Sequence, residues 1–308
     1  MKTADIVYFS GEPVSFGLGL CHQLHRHGLC RSAIAIPCDH DKAMAVLRES
    51  DADCVVFLSP HAVGAFIRHK YKELLELGKP LLGYVSEWIA GDNLFVEKRS
   101  FHLEMDWLNY YGVAHSSDVA WFQAIGSRCD MAPPMFASDL FPRPPGDYPR
   151  RKELCYIGHN NAWKTERIRI LTALDAAGLV KGYTAPRTLD GAAGVASIFQ
   201  EFEAVLCPPA HGMGQSIRCY EAAASGALIV ECQPLDEGNE YFVDEQHRIS
   251  FPVGLPEEDI CDFIRSLDYD NLRHIAEAGA KLAHQDFAAQ VGFAKFLDNA
   301  RKSLTETH

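Results

Sequence analysis

Short apolar or β-branched runs alternate with longer amphipathic stretches through most of this chain. Residues 5–10 (DIVYFS) form the first run, followed by a glycine-containing turn and a helix-like segment reaching His27. Residues 32–37 (SAIAIP) precede a helix-like 41–50, residues 53–58 (DCVVFL) precede a helix-like 61–77, and residues 80–86 (PLLGYVS) make a fourth run. Near-continuous apolar strands separated by amphipathic helices predict a parallel sheet covered on both faces. Such doubly wound sheets bind ligands outside the carboxyl ends of their strands.

The alternation stops at residues 141–152 (FPRPPGDYPRRK), where four prolines, a glycine and a basic cluster exclude both a continuing helix and a central strand. It then restarts. Residues 153–157, 203–207, 227–231 and 248–251 read as strands, and 163–177 and 216–225 as helices. The tail reads as helices at 257–267, 269–284 and 287–304. The expected organisation is a first α/β domain over 1–142, a linker at 143–152, a second α/β domain over 153–286 and a final helical segment over 287–308. Facing strand ends would leave a cleft between the domains.

Composition narrows the class. The chain has 308 residues, 47% hydrophobic and 23% charged, which is globular. Its net charge of -12 argues against non-specific binding to nucleic acid or to an anionic membrane. No apolar run approaches the ~20 residues that span a bilayer, so no integral membrane segment is expected. The first residues read as a strand and turn instead of a signal peptide, with Asp5 where the apolar stretch would lie. Ten cysteines lie scattered with no C-x-x-C pair, as in reduced core thiols of a cytoplasmic protein.

Residues 207–231 (CPPAHGMGQSIRCYEAAASGALIVE) carry the most chemistry. A strand ends at Cys207, a loop with Gly212 and Gly214 follows, and a helix runs from Ser216 as N-cap to Gly226 just past its end. The glycines admit close backbone approach. The helix start favours an anion. Arg218 can fork onto a phosphate, and Glu221, three residues on, shares its face and can accept both hydroxyls of a ribose. Together these features describe a diphosphate-plus-ribose site. The same spacing also fits an ordinary strand–loop–helix unit with a surface Arg and Glu.

The run SIRCYEAAASG (216–226), followed by an apolar strand and the acidic DEGNEYF (236–242), resembles the donor-binding signature of group 1 glycosyltransferases, and within them the spore-maturation-protein-like branch. YIGHNNAWKTERIR (156–169) is similar to the strand end and basic helix that open the second domain in that family, and 126–141 is similar to its passage into the linker. The resemblance implies a GT-B fold, with two Rossmann-like domains, the donor in the second, the acceptor in the first, and the last helix crossing back. It implies Arg218 on the diphosphate, Glu221 on the ribose and Lys164 as a second phosphate cation. Gly158, Arg167 and the loop residues His211, Gly212, Met213, Gly214, Gln215 and Ser216 complete the expected donor site, which takes a UDP- or GDP-linked sugar. The chain departs from the pattern at Met213, where many retaining members carry a sugar-facing Glu.

Glycosyl transfer needs stabilisation of the leaving diphosphate and, for inversion, a base on the acceptor hydroxyl. Cations cover the first requirement, so neither metal nor further cofactor is expected. For the base, Glu87 directly follows a strand, with Trp88 beside it; Glu12 and His22 are weaker candidates. Both D-x-D triplets, Asp51-Ala52-Asp53 and Asp268-Tyr269-Asp270, stand where loop or N-cap carboxylates belong. His22, His25 and His27 lack metal spacing. The basic stretches 68–72 and 143–152 read first as solvated faces, with contact to an anionic acceptor or a membrane surface as the alternative. The aromatics at 95, 101, 107, 110 and 111 read as packing around a helix over 97–110. The leading function is therefore sugar transfer from a nucleoside-diphosphate sugar to a hydroxyl acceptor. The rivals are a nucleotide-sugar 2-epimerase or hydrolase on the same fold, and a non-catalytic binder. A nicotinamide oxidoreductase would need a G-x-G-x-x-G after the first strand, which is absent.

Overall fold

A computed structural model describes residues 1–11, 15–86, 107–132, 134–145, 148–158, 165–183, 189–208, 216–233 and 241–306. The chain forms two units, Met1–Ala137 with Ala289–His308, and Ser138–Ala288.

The first unit holds β1 (Ala4–Phe9), α1 (Leu18–Arg26), β2 (Cys30–Ile36), α2 (His40–Glu49), β3 (Cys54–Leu58), α3 (Pro60–Glu76), β4 (Leu81–Val85), β5 (Tyr110–Val113), α4 (Ser116–Ala124) and β6 (Cys129–Met131). All six strands are parallel, in the order β2-β1-β3-β4-β5-β6. Strand side chains alternate between faces. Val55 and Phe57 of β3 therefore join one core with Met44, Phe66 and Phe122. Cys54, Val56 and Leu58 join the other core with Leu20, Leu24, Phe293 and Phe296. The last two belong to α10 (Ala289–Thr305), the chain's final helix, which packs in this unit. Gly112 makes that packing possible, since a Cβ there would stand 2.5 Å from the Phe296 ring.

The second unit holds β7 (Arg151–Ile157), α5 (Thr165–Ala176), β8 (Val180–Tyr183), α6 (Leu189–Glu201), β9 (Phe202–Cys207), α7 (Ile217–Ala224), β10 (Leu228–Gln233), β11 (Ile249–Pro252), α8 (Glu257–Arg265) and α9 (Tyr269–Asp286). Its five parallel strands run β11-β10-β9-β7-β8. Both sheets share one winding: the first strand's two neighbours are the second and the third, and the order reverses between first and third. In such sheets that reversal, β1/β3 and β7/β9 here, opens the crevice where ligands bind.

Four sequence expectations need correction. Of the helix expected over 97–110, residues 97–106 lie outside the described residues, and Tyr110 opens β5 instead. Arg151 and Lys152, assigned to the linker, belong to β7. The basic stretch 143–152 is not simply solvated. Arg150 donates to the carbonyls of Phe199, Phe202 and Ser225, while Arg151 pairs with Glu201 and Lys152 with Asp270. In the stretch 68–72, Lys70 likewise pairs with Asp41 and Glu73. The D-x-D carboxylates do serve loops and caps. Asp53 accepts the amides of Lys2 and Thr3, bonds that hold its carboxyl below the usual range, and Asp268 caps α9. Among the described residues no His, Cys, Asp and Glu cluster has metal-binding geometry, and no helix is long and apolar enough to cross a membrane. All ten cysteines are unpaired, and nine are buried.

Candidate functional site

The carboxyl edge of the second sheet gathers the charged groups. Helix α7 starts there because Ser216 is the last residue with extended backbone (φ -70°, ψ 158°), and it stops at Gly226, whose φ of +77° suits a residue without a Cβ. The Ser216 hydroxyl does not cap the helix. It lies 3.9 Å from the Cys219 sulfur, leaving the first-turn amides without this side chain. Arg218 and Glu221, on one face at i and i+3, form an ion pair through Nη1 and Oε2. The Glu221 side chain is 1% exposed and that of Arg218 20%. The carboxylate is thus withdrawn from water while its cation reaches the surface.

Tyr156, near the end of β7, stands behind this pair. Burial raises its phenol pKa, and the opposing causes are the charge and hydrogen bond of Arg167 and the charge of Arg218. One phenol therefore sits among two guanidinium groups. Its hydroxyl lies so near Gly158 that a Cβ there would come within 2.2 Å of it. Arg167 is nearly buried on α5 and reaches the Pro208 carbonyl at 3.4 Å, which ties the ends of β7 and β9 at the sheet's switch point. Beneath α7, Glu231 of β10 pairs with Arg248, itself wholly buried, and the Cys219 thiol reaches Glu231 Oε1 at 3.9 Å. Burial depresses the Arg248 pKa. On the helix's other side the Tyr220 ring packs 5.0 Å from Phe242 and 5.1 Å from Phe287. The helix that presents Arg218 is therefore held by charge on one side and by aromatic packing on the other.

Of the expected donor residues, Gly158, Arg167, Ser216, Arg218 and Glu221 meet at this edge. Lys164, His211, Gly212, Met213, Gly214 and Gln215 lie outside the described residues, as do Glu12, Glu87 and Trp88. His22 is exposed on α1.

The first sheet's carboxyl edge differs in character. After β5, His115 is 8% exposed and its ring N–H donates to the Ser86 carbonyl; burial lowers its pKa to about 4, against the rise that this hydrogen bond favours. The imidazole is neutral near pH 7, with its second nitrogen a potential acceptor. Sequence reading missed His115 because it missed β5. A histidine directly after YYGVA was the available signal. Tyr156 was missed too, though an aromatic two residues before a strand-end glycine marks it.

No family model matches this chain, and no curated protein matches it. Solved structures do. Anabaena Alr3699/HepE in complex with UDP-glucose has a TM-score of 0.64 and 13% identity, over 96% of this chain and 99% of that one. A sucrose-phosphate synthase from Thermosynechococcus elongatus has 0.67 and 9%, over 99% and 100%. A glycosyltransferase from Rickettsia africae has 0.60 and 10%, over 100% of both chains. At these identities the likeness is one of architecture, and the architecture is the GT-B fold with two Rossmann-like α/β units.

Proposed function

We propose that this protein is a glycosyltransferase that moves a sugar from a UDP- or GDP-linked donor to a hydroxyl acceptor, and that it belongs with the group 1 enzymes of the spore-maturation-like branch. The observation that carries this reading is the Arg218–Glu221 pair in the first turns of α7, at the carboxyl edge of the second sheet. Further support comes from fold neighbours crystallised with UDP-glucose and with UDP.

In this reading the donor's diphosphate enters at the α7 amides and draws Arg218 onto its oxygens, with Lys164 as second cation and Arg167 adding its charge from behind. The ribose hydroxyls take the place of Arg218 on Glu221. Exchanging the guanidinium for two hydroxyl donors keeps the buried carboxylate hydrogen-bonded throughout. Gly212 and Gly214 carry no Cβ to keep the backbone from a sugar-diphosphate. Guanidinium groups and amides stabilise the departing diphosphate, so the step calls for no metal or cofactor from this chain. The first unit holds the acceptor. Glu87, Glu12 and His22 remain candidates for the base, and His115 joins them because a neutral imidazole with one nitrogen fixed on a carbonyl can accept a proton. The unpaired, buried thiols suit a reducing, cytoplasmic compartment. Met213, where a sugar-facing Glu is common, favours a second reading as a binder that does not turn over.

Calorimetric titration with UDP, GDP and their glucose and mannose conjugates tests this proposal. One nucleotide series should bind, and the conjugate should release free nucleotide only with an acceptor present. Absence of binding by every nucleotide overturns the reading. Release without acceptor indicates a hydrolase or epimerase, and binding with no turnover across acceptors indicates the non-catalytic form.

A further inference from the structure

The turn from β3 into α3 contains a serine that the fold does not use. Ser59 occupies the N-cap position of α3, where serine ordinarily accepts a first-turn amide. Here its backbone is left-handed (φ 50°, ψ 67°), a region that favours glycine or asparagine, and its side chain makes no capping bond. Its own amide is taken by the Tyr84 carbonyl at 3.0 Å. The residue is 1% exposed, and its hydroxyl is buried with no hydrogen-bond partner. Buried hydroxyls are nearly always satisfied, so an orphan of this kind points to a missing partner. Pro60 at the first helical position has no N–H, and the amides of residues 61 and 62 have none within the helix. The helix that follows is 17 residues long, so its N-terminus carries a full dipole.

The position of this turn adds an independent argument. β3 borders β1 at the point where the first sheet reverses its strand order, the crevice where such sheets take ligands. At the end of β1, Ser10 is exposed and the Phe9 ring, 37% exposed, lies over Gly11, where a Cβ would come within 2.4 Å of it. The crevice thus offers hydroxyl and amide donors beside an apolar ring, and no carboxylate among the described residues of these two turns.

We propose that the Ser59 hydroxyl and the first-turn amides of α3 form an oxyanion subsite in the first unit, which takes a phosphate or carboxylate group. Resting on the glycosyltransferase reading, that group belongs to the acceptor, so the acceptor is an anionic hydroxyl compound. The subsite holds its anion by neutral donors, and the Phe9 ring flanks the uncharged part of the molecule.

The test uses the full chain carrying Arg218→Ala and Glu221→Ala, which silence the second sheet's site. Inorganic phosphate and, separately, acetate are titrated and followed by thermal melting and, for phosphate, by phosphorus NMR. Phosphate binding identifies a phosphorylated acceptor, and acetate binding alone a carboxylate. Adding Ser59→Gly keeps the left-handed backbone available and removes only the hydroxyl. Affinity for the bound anion should fall at least tenfold, with the melting temperature of the ligand-free protein unchanged or higher. Equal affinity with and without the hydroxyl overturns the proposal, as does absence of binding by both anions. UDP titration of the protein with Ser59→Gly alone reports on the donor reading separately. It should match the unsubstituted chain, and its failure there would count against the nucleotide site without touching this one.

Discussion

The two sheets share one winding and one crevice position, yet they furnish their carboxyl edges differently. The second sheet's edge is built from charge, with Arg218 on Glu221, Arg248 on Glu231, and Arg167 braced by Tyr156. The first sheet's edge, at the described ends of β1, β3, β4 and β5, presents neutral polar groups, Ser10, Ser59, Ser86 and an uncharged His115, while Asp39 after β2 is engaged in capping α2. The difference follows from what each edge must do under the proposed function. A leaving diphosphate carries charge that only cations and aligned amides can stabilise in a low-dielectric site. An acceptor hydroxyl needs a base that is unprotonated at neutral pH, which a buried imidazole provides. A shared fold therefore constrains where the chemistry sits, and the residues at the strand ends decide what it is.

Arg218→Ala attacks the charged edge most directly. It removes an ion-pair partner from a carboxylate that is 1% exposed, so stability should fall, by up to about 3 kcal/mol in urea melts. Nucleotide affinity should fall about 100-fold. Adding Glu221→Ala should restore most of the stability and none of the binding. A single variant that melts like the unsubstituted chain would show that the pair is not compensating a buried charge.

On the neutral edge, His115 sets an acid limb. Its pKa is near 4 in the folded chain against an ordinary 6.5. Between those values the unfolded chain binds a proton that the folded chain refuses, so this contribution to stability is complete above pH 6.5. It is lost as pH falls toward 4, by about 3 kcal/mol in all. His115→Gln should flatten that part of the stability–pH curve; an unchanged curve would mean that the imidazole is not held neutral.

The smallest effect tests how the charged edge is organised. Tyr156→Phe keeps the ring over Gly158 and removes the hydroxyl that Arg167 meets. UDP should bind about fivefold more weakly, the worth of ~1 kcal/mol for one hydrogen bond, while uridine, which lacks phosphates, should bind as before. Equal losses for both would make the phenol a general fold element instead of a positioning group for the diphosphate side.

Legibility in the sequence tracked how locally each feature is encoded. Strands such as β1, β3 and β4 were readable because both faces are buried, which gives unbroken apolar runs. β5 was not, since YYGV is short and carries Gly112, whose reason is the distant Phe296. β8 was not, because as an edge strand it exposes Lys181 and Gly182. At the second sheet's edge Arg218 and Glu221 were legible from their spacing on a helix bounded by Ser216 and Gly226. Tyr156 was not, because its partner Arg167 stands on another element and only folding joins them.

Hydrophobic periodicity by itself determined two wound α/β units and the helix that presents Arg218, because burial along a strand or helix repeats with the backbone's own period. Only the tertiary structure decided that Glu221 is buried against Arg218, that His115 stays neutral on Ser86, and that Ser59 is left without a partner. Charge state and hydrogen-bond satisfaction depend on desolvation and on groups brought together from separate strand ends, and neither is a property of the residues adjacent in the chain.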